Sequence, residues 1–430
     1  MKSRRLTLVT AMTLFAALAT PYRLAAQEQE EQPRYSVRDL GTLGGTFSVA
    51  NSVNNKGWVD GFSALKGDVN GHAFLWRNGV MTDLKTLGGP QSNAVYPLNE
   101  RGQVPGYSDT STPDPNKEDF CGFGTLICLP FVWQKGVMNP LPTLDGGNNA
   151  FATEINNRGQ VAGYAENSTH DSTCAAPSRQ VLQVEPVIWE EGEIQQLPTF
   201  PGDPDGGANG INDRGQAVGG SGTCYGGPTP SLHALLWQGG TATDLGNLGG
   251  TRLSSGQDIN NQGQVVGFSF LSDNTTIHAF LWTEDDGMQD LGTLPGDVTS
   301  FGFGINEQVK VVGTSFDASG NPRAFLWQQG VITDLNTLTP AGSPLFLFDA
   351  FVINSRGQIV GDALQKSTGQ VHAYLATPGC NEDDCEGATP AVRVAGNPPK
   401  VTLPESVRKL LQQRLRSRYH IRGFGASPWD

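Results

Sequence analysis

One module recurs seven times along this chain, and its period constrains the fold more than any other feature. The fullest copy reads INNQGQVVGFS (259–269), then HAFLW (278–282), then GMQDLGTL (287–294). The last strand-like stretch of each copy ends in a leucine: Leu40, Leu84, Leu141, Leu197, Leu245, Leu291 and Leu335, in steps of 44, 57, 56, 48, 46 and 44 residues. A β-rich, glycine-rich period of this length is that of a four-stranded propeller blade with some long loops. Leucine-rich repeats are shorter, and helical solenoids lack the β pattern.

Within each copy, two β-compatible runs flank a turn that opens with Asn: Asn54, Asn99, Asn156, Asn212, Asn260, Asn306 and Asn354. Asn bonds its own backbone two residues on and so starts turns. Gly follows three residues later in six copies, where a positive φ is needed, but Val309 takes that place in the remaining one, which predicts a distorted turn. Every second strand has an interior Gly (Gly61, Gly106, Gly163, Gly219, Gly267, Gly313, Gly361), which implies close approach by a bulky neighbour; the module Trp is the candidate. HAFLW reads as the third strand and MQDLGTL as the fourth. The expected fold is therefore all-β, a seven-bladed β-propeller of four-stranded blades over residues 35–378. The last copy stops after VHAYLAT (371–377), whereas YSVRDLGTL (35–43) is a fourth strand with nothing before it. The N-terminal strand is expected to close the ring and remove the open edge.

The flanking segments read differently. Residues 1–26 have a basic start (Lys2, Arg4, Arg5) and a short apolar run, 6–19, followed by small residues, as in a secretory signal peptide. Residues 27–34 are a linker, 379–401 a Cys-containing linker, and 402–430 a short basic amphipathic helix and tail. In the tail Thr402 to Glu405 fits a capping box, and Val407, Leu410, Leu411 and Leu415 share one side. The signal carries +4 and residues 391–430 carry +6, which leaves −23 on residues 27–390 out of a total of −13. Such an acidic body excludes nucleic acid as a partner, because phosphate binding needs a basic footprint. The basic tail could contact a membrane surface or another envelope component, and a secreted or periplasmic monomer is expected.

All six cysteines follow the signal, as befits disulfides in an oxidising compartment. Cys121 with Cys128 and Cys380 with Cys385 could each close a small loop, and Cys174 with Cys224 could bridge consecutive modules. Metal binding is the rival reading, but no CxxC pair exists.

Four of the six His residues open third strands. Where that strand opens with His72, His233, His278 or Arg323, the fourth carries Asp83, Asp244, Asp290 or Asp334; His372 finds Asp39 if the ring closes as expected. These read as structural His/Arg–Asp pairs rather than as metal or acid–base sites. The stretches 107–129 and 164–185, between second and third strands, are long, and carry the ligand-binding candidates Asp109, Asp114, Glu118, Asp119, His170 and Asp171. Glu154 and Asp258, just before their Asn turns, are candidate channel carboxylates. GDPDGG (202–207) lacks the last ligand of a calcium loop and reads as a turn. With no GxSxG, HExxH or phosphate-binding glycine loop, no catalytic residue, metal or cofactor is called for.

The strings HAFLWRNGVMTDLKTLGG (72–89) and HAFLWTEDDGMQDLGTLPG (278–296) resemble the extracellular HAF-repeat family of bacterial exported proteins. The resemblance spans about 35–378; Pro130 and Pro186 depart from it in the second and third modules. It implies export and a repeat architecture, and no established activity. The function expected is non-enzymatic binding of a glycan or protein through the face bearing 107–129 and 164–185. The alternatives are a carbohydrate-active hydrolase or lyase with carboxylates at the channel mouth, and a structural cell-envelope component.

Overall fold

In the computed structural model, residues 34–95, 97–174, 178–224 and 232–379 are described, together with Leu403 and Val407. The segment 1–26, the pair Cys380 and Cys385, and nearly all of 402–430 lie outside the described residues. Among the described residues the protein is all-β, relieved only by the 3-10 turn Leu335–Leu338 and a helical residue at Val407.

Each module is an antiparallel sheet. Its fifth copy runs Gly249–Ile259, Val265–Leu271, Ile277–Thr283 and Gly287–Asp290, each strand paired with the next. The second, third and sixth copies form separate four-stranded sheets, and single parallel bridges (Leu232 to Leu253, Phe47 to Val371) join neighbouring sheets elsewhere. The seventh copy supplies Ile359–Gln365 and Val371–Pro378, and Tyr35–Asp39 pairs antiparallel with the latter, from Tyr35 opposite Pro378 to Asp39 opposite Tyr374. Tyr35 and Tyr374 are both fully buried there.

The interior glycines mark where the sheet is tightest. Gly267 stands opposite Phe280 in the register; a Cβ on it would lie 2.0 Å from the carbonyl oxygen of Ser255 and 2.8 Å from the Phe280 ring. Gly61, Gly106 and Gly313 meet Phe74, Phe131 and Phe325 in the same way. The bulky neighbour is thus the third-strand Phe in four modules and a Trp at Gly163, where the Trp189 ring comes to 2.6 Å, while Gly219 and Gly361 meet first-strand backbone most closely. The module Trp lies two residues further along, opposite Val265 in the fifth copy.

Two expectations are corrected here. The turn at Val309 is not distorted: Val309 takes φ 57°, and the bonds from Val309 N to Asn306 O and from Lys310 N to Asn306 Oδ1 are both 3.0 Å. The network of Asn306 holds a β-branched residue in left-handed backbone that it would not adopt alone. The stretches 107–129 and 164–185 are about half strand, not loop throughout. Val104–Pro113 pairs with Leu126–Gln134, and Val161–His170 with Leu182–Glu190, so that each module extends a β arm with a tip at 114–125 or 171–181.

The His and Arg pairs bind across the third and fourth strands. His72 Nδ1 meets Asp83 at 2.8 Å, His278 meets Asp290 at 2.9 Å, and His372 meets Asp39 at 2.9 Å, across 333 residues of sequence. Arg323 holds Asp334 at 3.2 Å and Asp297 at 2.7 Å. His233 does not pair with Asp244. It meets Asp203 of the GDPDGG turn at 2.8 Å and stacks on Phe200, while Asp244 accepts only the amide of Gly246. Asp203, fixed by the Ser221 hydroxyl, stands in the place that Asp297 takes beside Arg323, and so comes within reach of His233.

From the C-terminal region, Leu403 and Val407 are buried with Phe346, Phe348, Leu364 and Val371. Gly267→Ala is expected to cost at least about 2 kcal/mol, because the clashing carbonyl belongs to a paired strand and cannot yield. Urea unfolding checks this; a midpoint like that of the parent would contradict the packing described.

Candidate functional site

The seven turn asparagines do more than start turns. In Asn156 the side-chain oxygen accepts the amides of Arg158, Gly159 and Gln160, each at 3.0 Å. Its Nδ2 donates to Gln160 Oε1 at 2.8 Å and to the main-chain oxygen of Asn212, in the next module, at 2.9 Å. The same donation runs from Asn54 to Asn99 (3.2 Å), Asn99 to Asn156 (3.1 Å), Asn212 to Asn260 (3.0 Å), Asn260 to Asn306 (3.2 Å) and Asn306 to Asn354 (3.1 Å). Asn354 donates to Asn54 at 2.8 Å, so the series returns to its start.

A second set of contacts follows the first at the next residue. Asn55 N donates to Glu100, Glu100 N to Asn157, Asn157 N to Asp213, Asp213 N to Asn261, Asn261 N to Glu307 and Ser355 N to Asn55, at 2.7–3.1 Å. Two residues before the Asn, Glu154 accepts the amide of Ile211 (3.0 Å) and Asp258 that of Ile305 (2.9 Å) and its own neighbour Ile259 (2.7 Å). Gly210 leaves room for the Glu154 carboxylate, which a Cβ there would approach to 3.1 Å.

Together these residues line a cavity of about 140 Å³. Glu154 and Asp258 belong to its wall, where each is 7% exposed. Burial, with the nearby Asp258 charge, pushes Glu154 well above the usual carboxylate range. Burial raises Asp258 to about 6, although the amides of Ile305 and Ile259 pull it down. Further along the same first strands, Phe303 stacks near Phe301 and Phe351, giving the polar cavity an aromatic neighbour.

The ligand candidates of the arms lie at the other end of the second strands. Asp109, Asp114, Glu118 and Asp171 are buried, not presented to solvent. Asp114 accepts the amides of Asn116 and Glu118 and the side chain of Asn149. Glu118 crosses to the next arm and accepts the amide of Val181 at 2.5 Å. Asp171 holds Thr173 and Gln180. Asp119 is half-buried, capping Gly124 and facing Arg179 at 3.5 Å, while His170 is exposed. Cys121 is bonded to Cys128, and Cys174 to Cys224 across modules. Asp171 lies beside that second bridge, whose sulfurs are spent on each other and cannot bind a metal.

Sequence reasoning missed two sets of residues. One is the row after the Asn, acidic or Asn in six modules, which alignment of the copies would have exposed. The other is Glu166, fully buried in the third module, which takes the amides of Asn148 and Asn149 beside Glu118. Burial, then the Glu118 charge, drives Glu166 upward, and burial with Asp119 pushes Asp109 to about 7.

Neither a protein-family model nor a curated protein matches the chain. Solved structures similar to it include the β-propeller domain of the Trilobed protease from Pyrococcus furiosus (11% identity, 66% of this chain and 82% of that one, TM-score 0.44). A Mycobacterium tuberculosis puromycin-hydrolyzing peptidase is similar at 10% identity over 80% of this chain and 56% of that one, TM-score 0.43. An Aleuria aurantia lectin mutant in complex with Fucalpha1-6GlcNAc is similar at 9% identity over 70% and 100%, TM-score 0.37.

The buried acids set a pH dependence. Groups raised in the folded state stabilise it below the ordinary carboxylate pKa of about 4 and lose that effect as pH rises through their folded values. For Asp258 and Asp109 those values are about 6 and about 7. Burial alone would raise Asp39, Asp83 and Asp290, but their hydrogen bonds prevail and hold them low, so their contribution disappears on acidification. Thermal unfolding in chelator should therefore show greatest stability between roughly pH 4 and 6 and a decline towards pH 8. Glu166→Gln should flatten the decline; a parent profile rising from pH 5 to 8 would contradict these assignments.

Proposed function

We propose that this chain is an exported seven-bladed β-propeller of the HAF-repeat type, closed by its N-terminal strand, that binds a glycan or protein ligand without catalysis of its own. Seven asparagine contacts that return to their start support the blade count, and the pairing of Tyr35–Asp39 with Val371–Pro378 supports the closure. Two disulfides suit an oxidising compartment, and no described helix is long and apolar enough to cross a membrane.

One observation carries the binding reading: the arms of the second and third modules are locked into one rigid ledge. Glu118 ties the first arm to the second, Gln180 ties the second to Asp205 of the fourth module, and both tips are disulfide-bonded. The buried acids Asp114, Glu118, Glu166 and Asp171 are spent on hydrogen bonds within and between the arms. What the ledge offers a ligand is exposed and polar, including Thr112, Thr169, His170 and Arg179. Rigid scaffolding beneath a polar surface suits recognition, since little ordering entropy is lost on binding. The test is an array of glycans and envelope polysaccharides probed with the parent and with a Thr112→Ala, His170→Ala, Arg179→Ala variant. Binding should fall at least about tenfold, or 1.4 kcal/mol, with an unchanged unfolding midpoint. Equal binding by both proteins would refute the ledge as the site.

A hydrolase reading rests on Glu154 and Asp258 sharing one cavity with raised pKa values. Against it, both carboxylates are committed to amides of the following module. Release of reducing sugar from a polysaccharide panel, abolished in Glu154→Gln, would establish it in place of the first reading.

A further inference from the structure

One row of apolar side chains crosses from the seventh module to the first. Phe346 stands opposite Leu364, Leu364 opposite Val371, and Val371 opposite Phe47 of the first module, on four neighbouring strands. Residues in register project from the same side of a sheet, so these side chains form one strip. Phe348, two residues after Phe346, joins it. Phe346, Phe348, Leu364 and Val371 are buried, and Phe47 is half-buried against them.

Other modules treat this place differently. Where the seventh has Leu364 and Val371, the first has Ala64 and Gly71, and the fourth Gly222 and Leu232. The sixth has Phe316, left half-buried, and Pro322. The fifth has Phe270 and Ile277, and there Arg252 of the same module lies over the Phe270 ring at 5.0 Å. On the seventh module's strip the cover comes instead from beyond the last strand: Leu403 and Val407, 1% and 4% exposed, share one buried cluster with it.

We propose that the segment beginning at Thr402 is a latch that docks on this strip and holds the seventh module against the first. Leu403 and Val407 are four residues apart and Val407 is helical, so the two side chains share a face, and their burial turns that face onto the strip. Charge favours the same seat, since residues 391–430 carry +6 and residues 27–390 carry −23. The strip crosses the junction, so its occupant fastens both modules there, beside the pairing of Tyr35–Asp39 with Val371–Pro378. The basic tail is thereby committed to its own chain rather than to a membrane surface. The latch does not depend on what the arms bind.

The experiment compares the full chain with a Leu403→Asp, Val407→Asp variant by limited trypsin digestion, reading cleavage after Arg408 and Lys409 by mass spectrometry. The docked segment should protect these bonds in the parent. The variant should be cut there at least about tenfold faster, because cleavage follows the population of the open form, and it should unfold at a lower temperature. If that variant fails to fold, Leu403→Ala with Val407→Ala carries the same expectation. Equal cleavage rates or an unchanged unfolding temperature overturn the proposal. So does protection of the parent that appears only when vesicles of phosphatidylglycerol and phosphatidylcholine are added, which assigns the tail to a lipid surface. A parent dimer in light scattering that dissociates in the variant overturns it too, since the segment then sits on a second copy.

Discussion

A single carboxamide geometry underlies the whole array. Each turn Asn has to satisfy three or more polar groups at once, and its short carboxamide carries both the acceptor and the donor to do so. Asp would present a second acceptor to the next module's carbonyl, and Ser is too short to reach it. The oxygen closes the local turn, as in Asn212 with the amides of Arg214 and Gln216, and the nitrogen spans to Asn260. The residue that defines a module thus also joins it to its neighbour. In five modules a Gln four residues on takes the second Nδ2 hydrogen, as Gln216 does at 2.8 Å. Such fully satisfied buried networks specify geometry as well as contribute stability.

The second and third modules depart from the repeat, and they do so together. Leu129 and Glu185 stand where other modules open the third strand with His or Arg, Pro130 and Pro186 follow in the place of Ala, and no His–Asp link forms there. In its place the sheets lengthen into arms held by Glu118, Asn149, Glu166 and the two disulfides. The acids that hold them have no buried cation beside them. Their burial is tolerated because neighbouring amides donate to them and, for Glu166, because burial raises its pKa and allows protonation.

Much of the repeat was legible in the sequence because its signals are local. Strand order, the Asn turns and the contacts of His72, His278 and His372 follow from positions that recur at fixed offsets. Harder to read were contacts between copies that differ. Asp203 displaces Asp244 as the partner of His233 from the place that Asp297 takes beside Arg323, and only those two copies carry the Pro-Gly-Asp turn that puts it there. The Phe rather than the Trp opposite the interior glycines is a matter of register, which a one-residue uncertainty in a turn reverses. Glu154 and Asp258 could be placed on first strands, but their bonds to Ile211 and Ile305 join different modules, so the cavity existed only once those modules were side by side.

The pairing of Tyr35 with Pro378 imposes an order of events on the newly made chain. Tyr35–Asp39 leaves the ribosome before Val371–Pro378, and no contact between them can form until the more than three hundred residues separating them have emerged. Until then Tyr35–Asp39 has no strand to pair with, and Tyr35 lacks the sheet that buries it. Joining partners so distant in sequence is slow, since the loop entropy is lost before the contacts repay it. A precursor threaded across a membrane from its N-terminus would hold Tyr35–Asp39 waiting on the far side until its last module arrived.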